Sequence, residues 1–276
     1  LALTASPGSS KERIEEICNN LHIEAVEIRT EQDSDVQPYA QKKEIFWIEV
    51  ILPENFTKIG GKIKNIYKEK LGDIKKTGFT KPANLITKKD LLELQSELRS
   101  RINEGDKTSF YFISLVAQAL KLEYAIELLE TQSIDTLSKY LEKLKKDNSK
   151  AAKSILKNKE FLEVIELTNE LANKKVEHPK LIKLIEIIEE TLKENRKIKI
   201  MVFANYRSTV NHIVNKLKGI NGTNPTILLG QKEGITQKKQ IETIKEFEEG
   251  KYNILVASSI GEEGLSIGTL DLVIFY

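Results

Sequence analysis

The sequence is short of the residues that build disulfide-bonded, membrane-spanning or metal-binding proteins. Its one cysteine, Cys18, excludes an internal disulfide framework and is typical of a protein in a reducing cytoplasm. His22, His178 and His212 stand far apart and no CxxC pair occurs, so no metal-ligand spacing is present. No apolar run approaches the roughly 18 residues of a membrane span, and no signal peptide is recognisable. These absences predict a cytoplasmic protein without a membrane segment or a motif-bound metal.

A phosphate-binding loop is also missing. Gly60 and Gly61 are not followed by Lys-Ser or Lys-Thr at the spacing of a GxxxxGK[ST] loop, and no Ser/His/Asp set is defined by spacing. These residues alone therefore do not assemble a site that hydrolyses a nucleoside triphosphate. Arginine and aspartate are scarce, at six and eight residues, so lysine and glutamate carry most of the charge. That bias is typical of hyperthermophile proteins and equally of a skewed genome composition. The net charge of +2 indicates nothing about nucleic acid.

The two ends of the sequence lack the usual features of a complete protein. The chain begins at Leu1, its one methionine is Met201, and its last residues form an apolar strand pattern that ends at Tyr276. We therefore expect a piece of a longer protein, whose missing motifs lie outside these residues.

What is present is an ordinary globular composition, with 40% hydrophobic and 30% charged residues. From residue 178 onwards, short Val- and Ile-rich runs alternate with helical patterns, which predicts a parallel sheet with right-handed crossovers. The predicted strands cover residues 199–204, 226–229, 253–257 and 272–276, and the last two are expected to be buried. The predicted helices follow Pro179 and cover residues 207–218 and 236–249, with Ile241, Ile244 and Phe247 facing inward.

The first 53 residues predict a further α/β segment. A strand at residues 1–3 precedes a helix that Ser9 caps, with Glu12 completing a capping box. Residues 25–28 and 45–52 are strand candidates, and Trp47 within the second is expected in the core.

Residues 54–177 have a different character, because helical patterns dominate there. Thr87 caps one helix with Asp90 three residues later, and Ser133 caps another. The most periodic stripe contains Ile113, Val116, Ala117, Leu120, Tyr124 and Leu128. The predicted fold class is therefore α/β, with an all-helical domain inserted between α/β parts and boundaries at residues 1–53, 54–177 and 178–276.

Two stretches of the helical part are strongly basic. Residues 58–76 contain seven lysines, and residues 139–159 contain eight lysines against Glu142 and Asp147. Such a density of lysines can neutralise several phosphates, although a solvated helix face explains it equally well. Lysine reads no base sequence, so contact would be directed to the backbone. The candidate contacts are Lys143, Lys145, Lys146 and Lys150.

A loop that holds Gly261, Gly264 and Gly268 follows the strand predicted at residues 253–257. It lies at the carboxyl end of that strand, where open α/β sheets bind ligands. Ser258, Ser259 and the backbone at the glycines are candidates for phosphate contact. An ordinary βα loop is an equally good interpretation of the glycines alone.

Four ordered motifs carry a resemblance to a known family. LTASPGS at residues 3–9 resembles motif III of superfamily 2 helicases, and MVFANYRSTV at residues 201–210 is similar to motif IV. ILVASSIGEEGLSIGTLDLVIFY at residues 254–276 resembles motif V. GQKEGITQKKQIETIKEFEEGKYNILVAS at residues 230–258, and ALKLEYAIELLE at residues 119–130 in the helical insert, resemble the archaeal Hef fork-structure helicases and their Fanconi-anaemia M relatives.

The resemblance implies two RecA-like domains that clamp ATP and nucleic acid between them. Residues 1–53 would end the first RecA-like domain, residues 54–177 would form a thumb-like insert that grips duplex, and residues 178–276 would form the second domain, truncated before motif VI. Thr4, Ala5 and Ser6 would couple ATP hydrolysis to strand movement. The implied nucleic-acid contacts are Ala204, Asn205, Tyr206, Arg207, Ser258 and Ser259. The implied nucleotide-facing residues are Gly261, Gly264, Leu265 and Ser266.

The function that the resemblance implies is an ATP-dependent DNA helicase or translocase on forked or branched DNA, with ATP and Mg²⁺ as cofactors. An RNA helicase or double-stranded RNA sensor is the first alternative, and a non-catalytic duplex-binding module is the second. The family's phosphate loop, acidic motif and motif VI are absent, so these residues alone are expected to be inactive and to bind no cofactor. Ser266 stands where relatives usually have aspartate, which puts ATP coupling in doubt. The expected partners are nucleic acid, the rest of the helicase core and a candidate nuclease domain on the same chain.

Overall fold

The computed structural model describes residues 3–4, 10–30, 32–39, 44–76, 79, 81–230, 236–258, 267–268 and 270–276. The chain divides into two compact units, Leu1–Glu49 and Val50–Tyr276. The predicted domain boundaries at 53/54 and 177/178 remain predictions. No helix in the described ranges is both long enough and apolar enough to cross a bilayer.

The first unit contains helix α1 (Lys11–Asn20) and a short 3₁₀ turn (Gln37–Tyr39). The predicted cap was wrong by one residue, because Ser10 is the N-cap and its hydroxyl accepts a hydrogen bond from the Arg13 N–H. Glu12 consequently lies at the second helical position, where its carboxylate accepts from the Ser10 hydroxyl at 2.8 Å. Ser9 and the first two residues of the strand predicted at 1–3 lie outside the described residues.

The two strands predicted in residues 25–28 and 45–52 do not form. These segments have no regular secondary structure, and no strand pairs with them among the described residues. The predicted core position of Trp47 is also wrong, because its side chain is 95% exposed. A strand without a neighbour leaves its N–H and C=O groups unpaired, so local strand propensity alone does not stabilise it.

The second unit begins with six helices, which we call the helical module (residues 54–173). A 3₁₀ turn (Ala83–Leu85) precedes the second of them. The central helix α4 packs against α2, α3, α5 and α6. The helices are α2 (Glu54–Lys75), α3 (Lys88–Asn103), α4 (Ser109–Thr131), α5 (Ile134–Lys146), α6 (Lys150–Leu156) and α7 (Lys159–Asn173).

Both predicted helix caps in this module are confirmed. Thr87 and Asp90 form a reciprocal capping box at the start of α3, and the Ser133 hydroxyl accepts from the Thr136 N–H at the start of α5. The single stripe predicted for α4 is wrong, since Leu115, Ala119, Leu122, Ala125 and Leu129 are buried beside Val116 and Leu128. A helix in the centre of a bundle buries most of its surface, so no single stripe describes it.

The described residues between 179 and 276 form a four-stranded parallel sheet with helices, which we call the sheet module. The strand order is β2-β3-β1-β4, and in register Val202 of β1 lies beside Val256 of β3 and Ile274 of β4. Pro179 occupies the first turn of α8, as predicted. The elements are α8 (Pro179–Glu194), β1 (Ile200–Ala204), α9 (Arg207–Leu217), β2 (Pro225–Leu228), α10 (Gln237–Glu248), β3 (Ile254–Ser258) and β4 (Leu272–Phe275).

Two burial predictions in the sheet module need correction. Strand β4 is an edge strand whose Val273 and Phe275 are exposed, whereas every residue of β3 is buried. On α10, Ile244 and Phe247 are buried but Ile241 is exposed. Gln240 is buried and donates a hydrogen bond to the Leu229 carbonyl at 2.6 Å. A polar contact with the chain after β2 thus sets the inward face of this helix.

Candidate nucleic-acid interface

The carboxyl ends of the parallel strands bring motif IV and the start of motif V to one edge of the sheet. Ala204, the last residue of β1, is the register partner of Ser258, the last residue of β3. Helix α9 starts at Arg207, directly beyond this edge. Open α/β sheets bind their ligands at such an edge, so the placement suits the predicted contacts, whose roles remain predictions.

The side chains at this edge differ in access. Ala204 and Ser258 are each 2% exposed, so their side chains present no surface to a ligand. The Ser258 hydroxyl oxygen is buried and has no hydrogen-bond partner among the residues that the structure describes. Asn205 is exposed, and Arg207 donates from Nη2 to the Gly230 carbonyl at 3.0 Å. Of the four predicted motif IV contacts, Asn205 is therefore the one whose side chain is exposed.

Tyr206 points toward the helical module. Its hydroxyl donates to the carboxylate of Glu127 on α4, and Glu127 also accepts from Lys88 Nζ at 2.8 Å. Burial and the Glu127 carboxylate raise the pKa of Tyr206 above its ordinary value. The sequence contained no signal for this contact, since its partners lie 79 residues apart.

Most of the remaining predicted residues of motifs III and V lie outside the residues that the structure describes. Thr4 is described and exposed, without regular secondary structure. The others lie outside the described residues: Ala5, Ser6, Ser259, Gly261, Gly264, Leu265 and Ser266. No group of three or more His, Cys, Asp or Glu side chains within the described ranges could hold a metal ion.

The second basic stretch forms an exposed cluster where α5 ends and α6 begins. Lys143, Lys145 and Lys146 occupy the last turn of α5, and Lys150 is the first residue of α6. All four are exposed. Lys145 forms an ion pair with Glu142 at 2.6 Å, whereas the other three have no ion pair in the described part of the chain.

Asp147, the acidic residue that follows α5, is already engaged. Its carboxylate accepts from Lys121 Nζ of α4 at 2.7 Å and from the Ser149 N–H at 2.8 Å. These hydrogen bonds, that from Lys121 foremost, lower the pKa of Asp147 to about 2. Lys150 also lies at the positive end of the α6 dipole, where a lysine does not stabilise the helix. Helix stability thus accounts for the lysines that end α5 but not for Lys150.

The first basic stretch, residues 58–76, is partly engaged in ion pairs within the helical module. Lys62 pairs with Glu163 at 2.6 Å, Lys64 with Glu130 at 2.7 Å, and Lys76 with Asp73 at 3.0 Å. These exposed or half-exposed pairs contribute little stability each. Lys58, Lys68 and Lys75 are exposed and have no ion pair in the described part of the chain, but they are spread along α2. The unpaired Lys143, Lys146 and Lys150 lie within eight residues of one another, and this closeness is the reason for preferring the α5–α6 cluster as the phosphate-binding surface.

Comparison with known proteins assigns both modules. The family model "Putative ATP-dependent RNA helicase, helical bundle" matches residues 56–178, and "Helicase conserved C-terminal domain" matches residues 179–276. Among curated proteins, "Putative ATP-dependent RNA helicase MJ1505" of Methanocaldococcus jannaschii is 39% identical over 100% of this chain and 35% of that protein. "ATP-dependent DNA helicase fml1" of Schizosaccharomyces pombe is 30% identical over 100% of this chain and 35% of that protein.

The crystal structure of the Pyrococcus furiosus Hef helicase domain matches with a TM-score of 0.82 and 37% identity, over 99% of this chain and 57% of that chain. This match confirms the predicted fold class, an α/β RecA-like fold with an inserted all-helical domain. The chain spans about a third of the length of the two curated relatives. It belongs to the superfamily 2 helicases of the archaeal Hef and Fanconi-anaemia M type.

Proposed function

We propose that the chain is the motif III to motif V part of an ATP-dependent DNA helicase or translocase that acts on forked or branched DNA. The observation that carries the proposal is the exposed cluster of Lys143, Lys146 and Lys150, without ion pairs among the described residues. It lies in the same compact unit as the sheet edge that gathers motif IV and the start of motif V. Relatives named ATP-dependent DNA helicases in Schizosaccharomyces pombe and Neurospora crassa support the choice of DNA.

The chemistry of the cluster suits recognition of shape rather than of sequence. Each lysine that neutralises a phosphate releases a counterion, so binding weakens as salt rises. Ammonium groups contact phosphates and carry no base code, which is what an enzyme moving along arbitrary sequence requires. A fork presents both duplex and single-stranded DNA. The helical module would bind the duplex, and the sheet edge would contact one strand.

We propose ATP and Mg²⁺ as cofactors of the intact protein and not of these 276 residues alone. The chain has no GxxxxGK[ST] loop, and its predicted nucleotide-facing residues lie outside the described part. No step of hydrolysis is therefore assigned to the described residues. We propose that the 276 residues alone are inactive, and nucleic-acid-stimulated ATP hydrolysis is the measurement. Substantial turnover by this chain would overturn that part of the proposal.

The direct test is binding of the 276-residue chain to a forked DNA, followed by fluorescence anisotropy over a series of salt concentrations. The variant Lys143→Glu/Lys146→Glu/Lys150→Glu should weaken binding and lower the salt slope by roughly 0.9 for each lysine that contacts a B-DNA phosphate. The matched control is Lys193→Glu/Lys197→Glu/Lys218→Glu. It changes the charge equally near the amino ends of the strands, where α8 and α9 end. An unchanged slope in the first variant, or an equal loss in both, contradicts the proposed surface.

An RNA substrate is the second candidate. The Methanocaldococcus jannaschii relative is named an RNA helicase, and so is "DEAD-box ATP-dependent RNA helicase FANCM" of Arabidopsis thaliana, which is 30% identical over 100% of this chain and 21% of that protein. Competition of a labelled forked DNA against an RNA duplex of the same sequence separates the two. Tighter binding of the RNA duplex would replace DNA as the proposed substrate.

A further inference from the structure

Two side-chain contacts join the carboxyl-terminal part of α4 and its C-cap, Gln132, to the start of α9. The Tyr206 hydroxyl donates to the Glu127 carboxylate, and the Thr209 hydroxyl donates to Oε1 of Gln132. Thr209 and Gln132 are buried, and Tyr206 and Glu127 are half-buried. Tyr206 and Thr209 lie three residues apart and therefore face the same side of the chain at the start of α9. The helical module thus contacts the very segment that resembles motif IV.

Glu127 is held from both sides. Lys88 at the start of α3 donates to one carboxylate oxygen at 2.8 Å, and Tyr206 donates to the other. Burial raises the pKa of Glu127, and the hydrogen bonds from Lys88 and Tyr206 outweigh that effect, so its pKa lies below the ordinary value. Leaving a partly buried carboxylate without its donors is costly, so the hydrogen bond from Tyr206 to Glu127 ties the start of α9 to α4.

Glu123, one helical turn earlier on α4, is a second carboxylate that interacts with Lys88 and Glu127. One of its carboxylate oxygens is buried and has no hydrogen-bond partner among the described residues. Burial raises its pKa, and Glu127 raises it further, while Lys88 opposes both effects. Among the described residues, Lys88 is the cation that is ion-paired with Glu127.

The junction between the two modules is anchored independently. His178, at the start of α8, donates from Nε2 to the Leu129 carbonyl at 3.1 Å and accepts from the Lys180 N–H at 3.2 Å. The ring of Phe56 packs against the His178 ring at 5.5 Å between centroids. Loss of the Tyr206 contact would therefore leave the modules joined and change only how they are oriented.

We propose that Glu127 is a positioning residue, which through Tyr206 fixes the helical module against motif IV and so links duplex binding at the α5–α6 cluster to the sheet edge. The nucleic-acid part of this inference rests on the proposed function. In the chain without nucleic acid, the Tyr206 hydroxyl is bound to Glu127, which holds the start of α9 against α4. The helical module thus keeps motif IV in a fixed position for nucleic acid to bind.

The test is a double-mutant cycle of Tyr206→Phe and Glu127→Gln in the 276-residue chain. Two fluorophores on cysteines introduced at Glu166 of α7 and Lys218 after α9, in a Cys18→Ser background, report the orientation of the modules by energy transfer. Without nucleic acid, each single variant should change the transfer efficiency, and the double variant should change it no further. Forked-DNA affinity should fall by roughly threefold to tenfold in each single variant, again without addition in the double variant.

Tyr252→Phe and Glu190→Gln are the matched controls. They make the same chemical changes on the sheet module, away from the contact, at side chains that are not hydrogen-bonded or ion-paired in the described part of the chain, and should leave energy transfer and affinity unchanged. Unchanged energy transfer in Tyr206→Phe and Glu127→Gln overturns the inference even if DNA binds. Loss of affinity in Tyr206→Phe alone, with additive effects in the double variant, would assign Tyr206 to direct nucleic-acid contact and refute the role of Glu127. Failure of the unaltered chain to bind DNA refutes the proposed function, while the energy-transfer result still decides the role of Glu127.

Discussion

Similar apolar runs have opposite burial in the two compact units of the chain. In the second unit, β3 is an apolar run of Ile, Leu, Val and Ala, paired on both sides and buried along its whole length. In the first unit, the apolar run that begins at Ile45 has no strand partner among the described residues, and Ile45, Phe46 and Trp47 are exposed. No residue of α1 is buried either.

The difference shows that strand propensity alone does not form a strand, because a neighbouring strand is also needed. β-branched and aromatic residues fit a half-buried pleated surface, and that surface exists only where other strands and helices build it. β3 has β1 and β2 as neighbours, and helices α9 and α10 contact the sheet. The first unit contains β-branched and aromatic residues of the same kinds, but no strand pairs with them among the described residues. The following changes should break or sharpen this contrast.

The largest expected effect is in the buried strand. Leu255 of β3 is fully buried, so Leu255→Ala should lower the free energy of unfolding by about 2–5 kcal/mol, through lost burial and a cavity. Ile28 in the first unit is 80% exposed, and Ile28→Ala should change the free energy of unfolding by less than about 0.5 kcal/mol. Urea unfolding followed by circular dichroism measures both. Equal losses would contradict the contrast between the units.

A smaller effect is expected at helix caps. Thr87→Ala removes the side-chain acceptor of the capping box at α3, a helix packed into the module, while the backbone N–H of residue 87 can still donate to Asp90; it should cost about 1 kcal/mol of global stability. Ser10→Ala removes the cap of α1, which buries no residue, so it should reduce local helix content only. Thermal unfolding gives the first quantity, and amide chemical shifts give the second. A Ser10→Ala variant that lowers the melting of the second unit would break the comparison.

Acid should affect a carboxylate in each unit differently. Hydrogen bonds, first from Lys121 on α4, lower the pKa of Asp147 to about 2, below the value of 3.8 expected for an ordinary aspartate. Because the folded pKa is depressed, its stabilising contribution is present above about pH 3.8 and disappears as the pH falls through about 2. Asp33 in the first unit also has a lowered pKa, but its donors are the backbone and side chain of Thr30 in the same turn.

Carboxyl carbon NMR over an acid titration reports both groups. Lys121→Met should raise the pKa of Asp147 toward the ordinary value and leave that of Asp33 unaltered. If Asp33 moved as well, its pKa would depend on more than its own turn, and the local character assigned to the first unit would be incorrect.

The parts of the fold that sequence reasoning predicted are those fixed by local chemistry. The caps at Thr87 and Ser133, the end of the helix predicted at residues 236–249 and the parallel strands around Val256 all follow from neighbouring residues and period. Gly250 adopts a φ of +81°, which glycine favours. The errors arose where burial depends on distant partners: the edge position of β4, the all-round burial of α4 and the exposure of Trp47. The contact of Glu127 with Tyr206 was missed for the same reason, although Glu127 lies within the segment that carries the family resemblance.

The smallest expected effect uses the one tryptophan of the chain as a reporter of the first unit. Trp47 is 95% exposed, so its emission should be that of a solvated indole, and acrylamide should quench it almost as efficiently as a free tryptophan analogue. Trp47→Ser should leave the free energy of unfolding within about 0.5 kcal/mol, because no packing is lost. Leu255→Ala should shift the unfolding transition seen by circular dichroism without changing this quenching. A protected tryptophan, or a destabilised Trp47→Ser variant, would mean that residues 44–52 have a partner that buries them. The two apolar runs would then obey the same rule, since each would be buried wherever a neighbour is supplied.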